Sequence, residues 1–306
     1  MPKTWQGRLK QRILRAGIRI GLAGFRGLAL FLPRRIGVRL GGWLGGLAFL
    51  ILQKERYRAL KHIRLALGNE CEPDEQVRII KESFSNLGKN LLEVLKLPRL
   101  TRAEVDRMVE ISGEECLKEA ITPGRGVIFI TGHLGNWELL AVAVAMRFPL
   151  SVVAAPIYDP QLEEVMVRLR KAHSIETVIR GQPHSLRLLL TMLQKGGVVG
   201  MLIDQDTRVD GIVVPFFGHG AYTPTGPAIL ALRTGAAVVI GHIYRQPDNR
   251  HKIIIQGPLN LITTGDREAD IQANTARFTQ VIEEFVRDHP EQWVWMHERW
   301  KTVKRG

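Results

Sequence analysis

His133 and Glu138 are the two residues of this chain best suited to acid–base chemistry, and they fall in one short segment, Thr131-Gly132-His133-Leu134-Gly135-Asn136-Trp137-Glu138. An imidazole titrates near neutrality, so the neutral ring can take a proton from a hydroxyl. A carboxylate beside it fixes the tautomer and stabilises the imidazolium that forms. On one continuous helix, positions i and i+5 lie about 140° apart and do not meet. With His133 in a loop and Asn136 capping the next helix, Glu138 falls in the first helical turn and folds back toward the ring. Gly132 and Gly135 permit the sharp turn. The helix N-terminus adds N–H donors able to hold an oxyanion. The same residues also fit a plain reading: a loop histidine and a carboxylate that satisfies a helix dipole.

Positioning such a loop requires a strand before it and a helix after it. Residues 126–131 form a short apolar run after the turn Pro123-Gly124, which predicts a buried strand, and residues 138–146 predict a helix. Further strands are expected over 150–154, 176–179, 198–203, 237–244 and 252–256. Helices are expected over 161–172, 185–194, 227–233 and 271–288. Strands alternating with helices indicate an α/β fold, a central mostly parallel sheet flanked by helices. Residues 53–107 read as helical, broken near 68–73 and at Pro98.

The first 52 residues differ in texture. Over residues 8–32, Arg8, Arg12, Arg15, Arg19 and Arg26 share one helical arc. Leu14, Ile18, Phe25, Leu28, Phe31 and Leu32 lie mostly opposite. A basic amphipathic helix of this kind lies in a membrane interface. A span is disfavoured, because Arg19 and Arg26 at bilayer depth would each cost about 2.5–3.5 kcal/mol. Residues 36–52 are apolar nearly all round, and the pairs Gly41-Gly42 and Gly45-Gly46 permit close helix packing. A buried helix of the globular domain fits that run as well. The expected organisation is a membrane-associated helical segment over 1–52 and a catalytic domain over 53–306.

The chain has 306 residues, of which 45% are hydrophobic, so it can bury a sizeable core; this excludes a wholly disordered chain. Lys and Arg outnumber Asp and Glu by 43 to 30, and the net charge of +13 calls for an anionic partner. Two cysteines, Cys71 and Cys116, indicate a reducing compartment and exclude a thiolate zinc cluster. No Walker loop and no Gly-x-Ser-x-Gly elbow occurs, and His297-Glu298-Arg299 lacks the second histidine of a zincin helix. No nucleic-acid recognition module is evident. A basic membrane-bound binding protein without catalysis is a lesser alternative.

Several other residues invite a functional reading. Arg170, Arg180 and Arg187 are suited to phosphate, which a guanidinium binds in bidentate fashion; exposed helix arginines are the plain alternative. Asp204 and Asp206 follow a strand, where α/β proteins place functional groups. With His219 they suggest a metal, but no third ligand is suitably spaced, and turn-capping aspartates fit equally. Val213, Val214, Phe216 and Phe217 suit either an acyl-chain wall or the core. Trp293, Trp295 and Trp300 suit packing against the sheet better than a membrane interface.

The block Gly132–Glu138 resembles the histidine-four-residues-acid motif of the lysophospholipid acyltransferase superfamily, and its Asn-Trp-Glu ending is similar to the lipid A late (lauroyl/myristoyl) acyltransferases. Three further blocks follow in order: Asp204-Gln205-Asp206 with Val213-Val214-Pro215-Phe216-Phe217-Gly218, then Arg233-Thr234-Gly235-Ala236, then Pro290 to Thr302 with its tryptophans. The resemblance runs roughly from Arg34 to Thr302. It implies an O-acyltransferase of lysophospholipid acyltransferase-like fold, with no metal and no cofactor. His133 would act as general base on an acceptor hydroxyl, with Glu138 orienting it. Acyl carrier protein would be the donor and partner, and a lipid A precursor the acceptor. A phosphatidylinositol mannoside or another membrane lipid is the alternative acceptor. Arg170 looks like the family's arginine between the dyad and the acidic block. Arg170, Arg180, Asn136, Asp204 and Asp206 are the expected substrate-binding set. The implied location is the cytoplasmic face of the inner membrane.

Overall fold

The computed structural model describes residues 31–121 and 125–303. The basic helix expected over residues 8–32 lies outside them, apart from Phe31 and Leu32.

Three helices precede the sheet: α1 (Arg34–Ile51), α2 (Gln53–Leu67) and α3 (Pro73–Val94). Pro73 opens α3 at its first turn, and Asp74 and Glu75 sit where the helix dipole favours acids. One face of α1, bearing Gly37, Val38, Gly41, Gly45 and Phe49, is buried. It packs on α3 at backbone contact: a Cβ at Gly41 would stand 2.5 Å from the Gly88 carbonyl oxygen, and a Cβ at Gly45 would overlap that of Phe84. Phe49 meets Phe84 edge to face at 5.6 Å. Gly41 and Gly45 therefore act as the glycine pairs predict, whereas Gly46 faces open space. The opposite face of α1 presents Ile36, Trp43, Leu47, Leu50 and Ile51 outward. The axes of α1 and α2 bend by 91° at their junction, and among the described residues no single helix is long and apolar enough to cross a membrane.

The α/β part runs α4 (Arg102–Met108), β1 (Val109–Ser112), α5 (Glu114–Ala120), β2 (Val127–Thr131), α6 (Trp137–Ala145), β3 (Leu150–Ala154), α7 (Pro160–Lys171), β4 (Glu176–Ile179), α8 (Ser185–Gln194) and β5 (Val198–Leu202). It continues with β6 (Gly211–Phe216), β7 (His219–Pro224), α9 (Gly226–Thr234), β8 (Ala237–Arg245), β9 (His251–Leu259) and α10 (Arg267–Asp288). The seven-stranded sheet has the order β1-β9-β8-β2-β5-β3-β4. Strands β8, β2, β5, β3 and β4 run parallel; β9 is antiparallel to β8, and β1 follows β9. This is the mostly parallel sheet expected. Strand β2 is buried along its whole length. Its residues alternate between two cores: Ile128 and Ile130 face the side covered by α3, α9 and α10, and Val127 and Phe129 the side covered by α5 and α6.

Strand β1, helix α5 and the strand pair β6 and β7 were not expected. Strand β1 is a short edge strand whose register comes from β9. Strands β6 and β7 form a separate antiparallel hairpin, turning at Phe217 and Gly218, both at positive φ (53° and 69°). The hairpin buries Val214, Phe216 and Phe217 and leaves Val213 exposed.

Candidate active site

The carboxyl ends of the central parallel strands converge on one cavity, where α/β sheets commonly place their ligands. The turn after β2 carries His133. Gly132 lies close to Asp204, where a Cβ would stand 3.1 Å from Oδ2. Gly135 adopts φ +57°, and a Cβ there would overlap the Ile243 carbonyl oxygen, so only glycine suits the position. Asn136 caps α6, its Oδ1 accepting from the Leu139 N–H at 3.2 Å.

Asp204, not Glu138, holds the imidazole. The His133 Nδ1–H donates to Asp204 Oδ1 at 2.7 Å, and the His133 backbone N–H donates to Oδ2 at 2.7 Å. The Trp293 indole N–H donates to the same Oδ2 at 2.8 Å. Burial pushes the Asp204 carboxyl up. The His133 ring, the Trp293 indole and the His133 backbone N–H outweigh it and hold the group at about 2, below its ordinary 3.8. An ionised carboxylate accepts only, so Nδ1 carries the hydrogen and Nε2 of the neutral ring keeps its lone pair. The ring is partly exposed and lines the cavity, with Trp137 edge-on at 5.1 Å.

Glu138 does start α6, as its sequence position predicts, but its carboxylate turns to α7. Arg170 donates to it through Nε at 3.0 Å and Nη2 at 2.6 Å. A planar guanidinium matches both carboxylate oxygens at once, which no imidazole contact can do. Both residues line the same cavity as His133. The orienting contact expected of Glu138 is therefore made by Asp204, while Glu138 fixes Arg170.

The cavity measures about 530 Å³. Its wall is mostly apolar, with Val152, Ala154, Leu189, Met201, Ile203 and Leu230 among its lining residues. Arg180 also lines it and donates from Nη1 to Thr207 Oγ1 at 3.0 Å. Among the described residues no carboxylate pairs with Arg180, and burial lowers its affinity for a proton. An anion would relieve that unpaired charge.

The remaining candidates lie elsewhere. Asn136 is 1% exposed and its amide is engaged inside the protein, so it cannot touch a substrate as the expected binding set has it. Asp206 is buried and accepts from the Thr302 N–H at 2.7 Å and the Thr302 hydroxyl at 2.8 Å, a brace for the C-terminal segment. His219 donates from Nε2 to the Leu65 carbonyl at 3.0 Å rather than joining the aspartates. Arg187 is exposed on α8. Phe216 and Phe217 pack in the core with Trp293, Trp295 and Trp300, and Val214 is buried. Trp293 has a role that its spacing did not reveal, the hydrogen bond to Asp204. Among the described residues, no group of three His, Cys, Asp or Glu side chains is placed to hold a metal ion.

Comparison with known proteins places these residues in context. A family model described as bacterial lipid A biosynthesis acyltransferase matches residues 6–302. A lipid A biosynthesis lauroyltransferase of Escherichia coli K12 is 26% identical over 91% of this chain and 90% of its own length. A phosphatidylinositol mannoside acyltransferase of Mycobacterium tuberculosis is 27% identical over 71% of this chain and 69% of its own length. Among solved structures, the 1-acyl-sn-glycerophosphate acyltransferase of Thermotoga maritima aligns with a TM-score of 0.38 and 15% identity, over 84% of this chain and 99% of that one.

Proposed function

The chain belongs to the bacterial lipid A biosynthesis acyltransferase family, and from that premise we propose that it moves a fatty acyl chain from an acyl carrier protein thioester to a hydroxyl of a lipid A precursor. The coarser activity, acyl transfer to a lipid A-type or related glycolipid, comes with the family. The observation that carries the finer reading is the His133–Asp204 hydrogen bond beside an apolar cavity.

In this mechanism Nε2 of His133 takes the proton of the acceptor hydroxyl as its oxygen attacks the thioester carbonyl. A C–O bond forms, the carbonyl π electrons pass to oxygen, and a tetrahedral oxyanion results. Collapse breaks the C–S bond, and the imidazolium returns its proton to the leaving thiolate. Asp204 holds the ring and stabilises its charge in the interval. Glu138 acts through Arg170, keeping a guanidinium at the cavity wall where negative charge develops. Arg180 serves as the group for a substrate phosphate. The apolar wall takes the acyl chain. The net charge of +13 suits both a phosphorylated acceptor and an acidic carrier protein.

The mannoside relative supports a second acceptor class on the same chemistry. Mass spectrometry of total lipid from cells with and without the active gene separates the two. One added acyl chain on lipid A supports the first reading, and one on a mannosylated phosphatidylinositol the second. His133→Ala should abolish either shift while the protein still accumulates and folds. An unchanged acylation pattern with His133→Ala would remove the proposed base.

The proposed location is the cytoplasmic face of the inner membrane, with the N-terminal segment lying on the bilayer. The outward face of α1 supports it: Trp43 and Leu50 are more than half exposed on a helix whose other face is sealed against α3. Burying one large apolar side chain is worth about 1.5–3 kcal/mol. Trp43→Ser should therefore weaken binding to phosphatidylglycerol vesicles by roughly tenfold. Equal partitioning of variant and wild type in a vesicle flotation assay would exclude this face from the contact.

A further inference from the structure

A buried ionic cluster lies beneath the catalytic turn and takes no part in the steps above. Glu93, in the last turn of α3, is 4% exposed. Its Oε1 accepts from Arg34 Nη2 at 2.7 Å and Nε at 3.0 Å, and from Arg245 Nη1 at 3.2 Å. Its Oε2 accepts from Arg245 Nη2 at 2.7 Å, His251 Nε2 at 3.0 Å and Asn136 Nδ2 at 3.3 Å. Burial pushes the Glu93 carboxyl up, but His251 and Arg245 outweigh it and hold the group well below the ordinary carboxylate range. Packing alone does not call for such a cluster. Apolar side chains of similar volume would fill the space without desolvating a carboxylate and a guanidinium, often with equal or better stability.

The cluster has a direction, and it leads to the reacting group. Asn136 is the cap of α6, and Glu138 follows in the first turn of that helix. One helical turn before Glu93, Asn90 donates from Nδ2 to the Gly135 carbonyl at 2.7 Å, and its Oδ1 accepts from Arg245 at 2.7 Å. The Gly135 N–H in turn donates to the Gln292 carbonyl at 2.9 Å. Gly135 and Asn136, in the turn that follows His133, are thus held by Asn90 and Glu93 of α3 and by the Gln292 carbonyl. We infer that Glu93 is a positioning residue for acyl transfer: through the Asn136 amide it sets the start of α6, and with it the Glu138–Arg170 pair against the His133 ring. The inference rests on the reading of His133 as the base.

Asn136 allows a test that leaves Glu93 and its arginines untouched. Its Oδ1 caps the helix and its Nδ2 reaches Glu93. Asn136→Ser keeps the cap and removes the link. Asn136→Asp keeps the cap and sets a carboxylate against a carboxylate. A capping role alone predicts near-equal variants, because Asn, Asp and Ser cap about equally well and the helix dipole favours Asp. The positioning role predicts that kcat falls in the order wild type, Asn136→Ser, Asn136→Asp. The assay uses the full chain in detergent micelles, with acyl carrier protein thioesters as donors and a lipid A precursor as acceptor. Asn136→Ser should lose about tenfold in kcat, the scale of a small misplacement of reacting groups, with acceptor KM and melting temperature near wild type. Asn136→Asp should lose more. Wild-type kcat in Asn136→Asp, or losses that only follow the folded fraction, would overturn the inference. His133→Ala is run alongside. If it is active, the base reading fails; if it is dead while Asn136→Asp turns over normally, only the role of Glu93 fails.

Discussion

Asp204→Asn is expected to lower kcat by about 1,000- to 10,000-fold in a protein that still folds, the scale seen when a catalytic imidazole is forced into the wrong tautomer. The reason lies in the count of donors. The carboxylate accepts from the His133 backbone N–H, the His133 ring and the Trp293 indole. Two of these donors converge on Oδ2, so the single amide oxygen of asparagine takes that side. Its NH₂ then faces Nδ1 of the ring. Two donors cannot share a hydrogen bond, so Nδ1 must lose its hydrogen and Nε2 must gain it. The ring then has no lone pair toward the cavity. Near-normal turnover of Asp204→Asn, measured with the folded variant, would show that the tautomer is fixed by something else. The same carboxylate leaves a mark on stability. Its folded-state value of about 2 lies below the ordinary 3.8. A depressed carboxylate contributes stability that is present above its unfolded value and lost as pH falls through its folded value. Wild type should therefore lose an increment between roughly pH 4 and pH 2 that Asp204→Asn lacks, read as converging melting temperatures in acid.

The pairing of Asp204 with His133 is a matter of sheet order. Within the sequence, Glu138 is the acid nearest the histidine, and local spacing can judge only near neighbours. The structure pairs β2 with β5 in parallel, with Thr131 opposite Leu202. Carrying that register two residues on sets His133 beside Asp204. No pattern of apolar residues announces which strands are adjacent, so the contact becomes legible only with the topology. The pair Asp204 and Asp206 was visible as functional-looking acids on a strand end; which one faced the ring was not. Strands β2, β3, β5 and β8 were legible because each is a largely apolar run. Strand β1 was not, since Val109–Ser112 is half polar and owes its form to pairing with β9. The hairpin was not, since its turn uses Phe217 at positive φ in place of the usual Asn or Asp. Trp293 read as packing, and it is buried; its indole N–H was the part that mattered.

Removing the Glu93 carboxylate should have a large effect on stability. In Glu93→Ala, Arg245 would keep a guanidinium that is only 3% exposed with no carboxylate beside it. The His251 ring and the Asn136 amide would each lose an acceptor. Breaking a buried pair from one side costs about 3–5 kcal/mol, a large share of the roughly 5–15 kcal/mol that holds a typical domain together. Arg34 adds less to this, because its side chain is 29% exposed and water can take the place of the carboxylate. A melting curve indistinguishable from wild type would mean that the cluster is solvated and its charges are screened. The double variant Glu93→Leu with Arg245→Met removes both buried charges together and should recover most of the lost melting temperature, since apolar groups of similar size can replace a buried ion pair without net cost. It does not restore an acceptor for the Asn136 amide. A double variant that folds like wild type yet turns over as slowly as Asn136→Ser would divide the work of Glu93 into two parts, a charge balance that other residues can replace and a hold on α6 that they cannot.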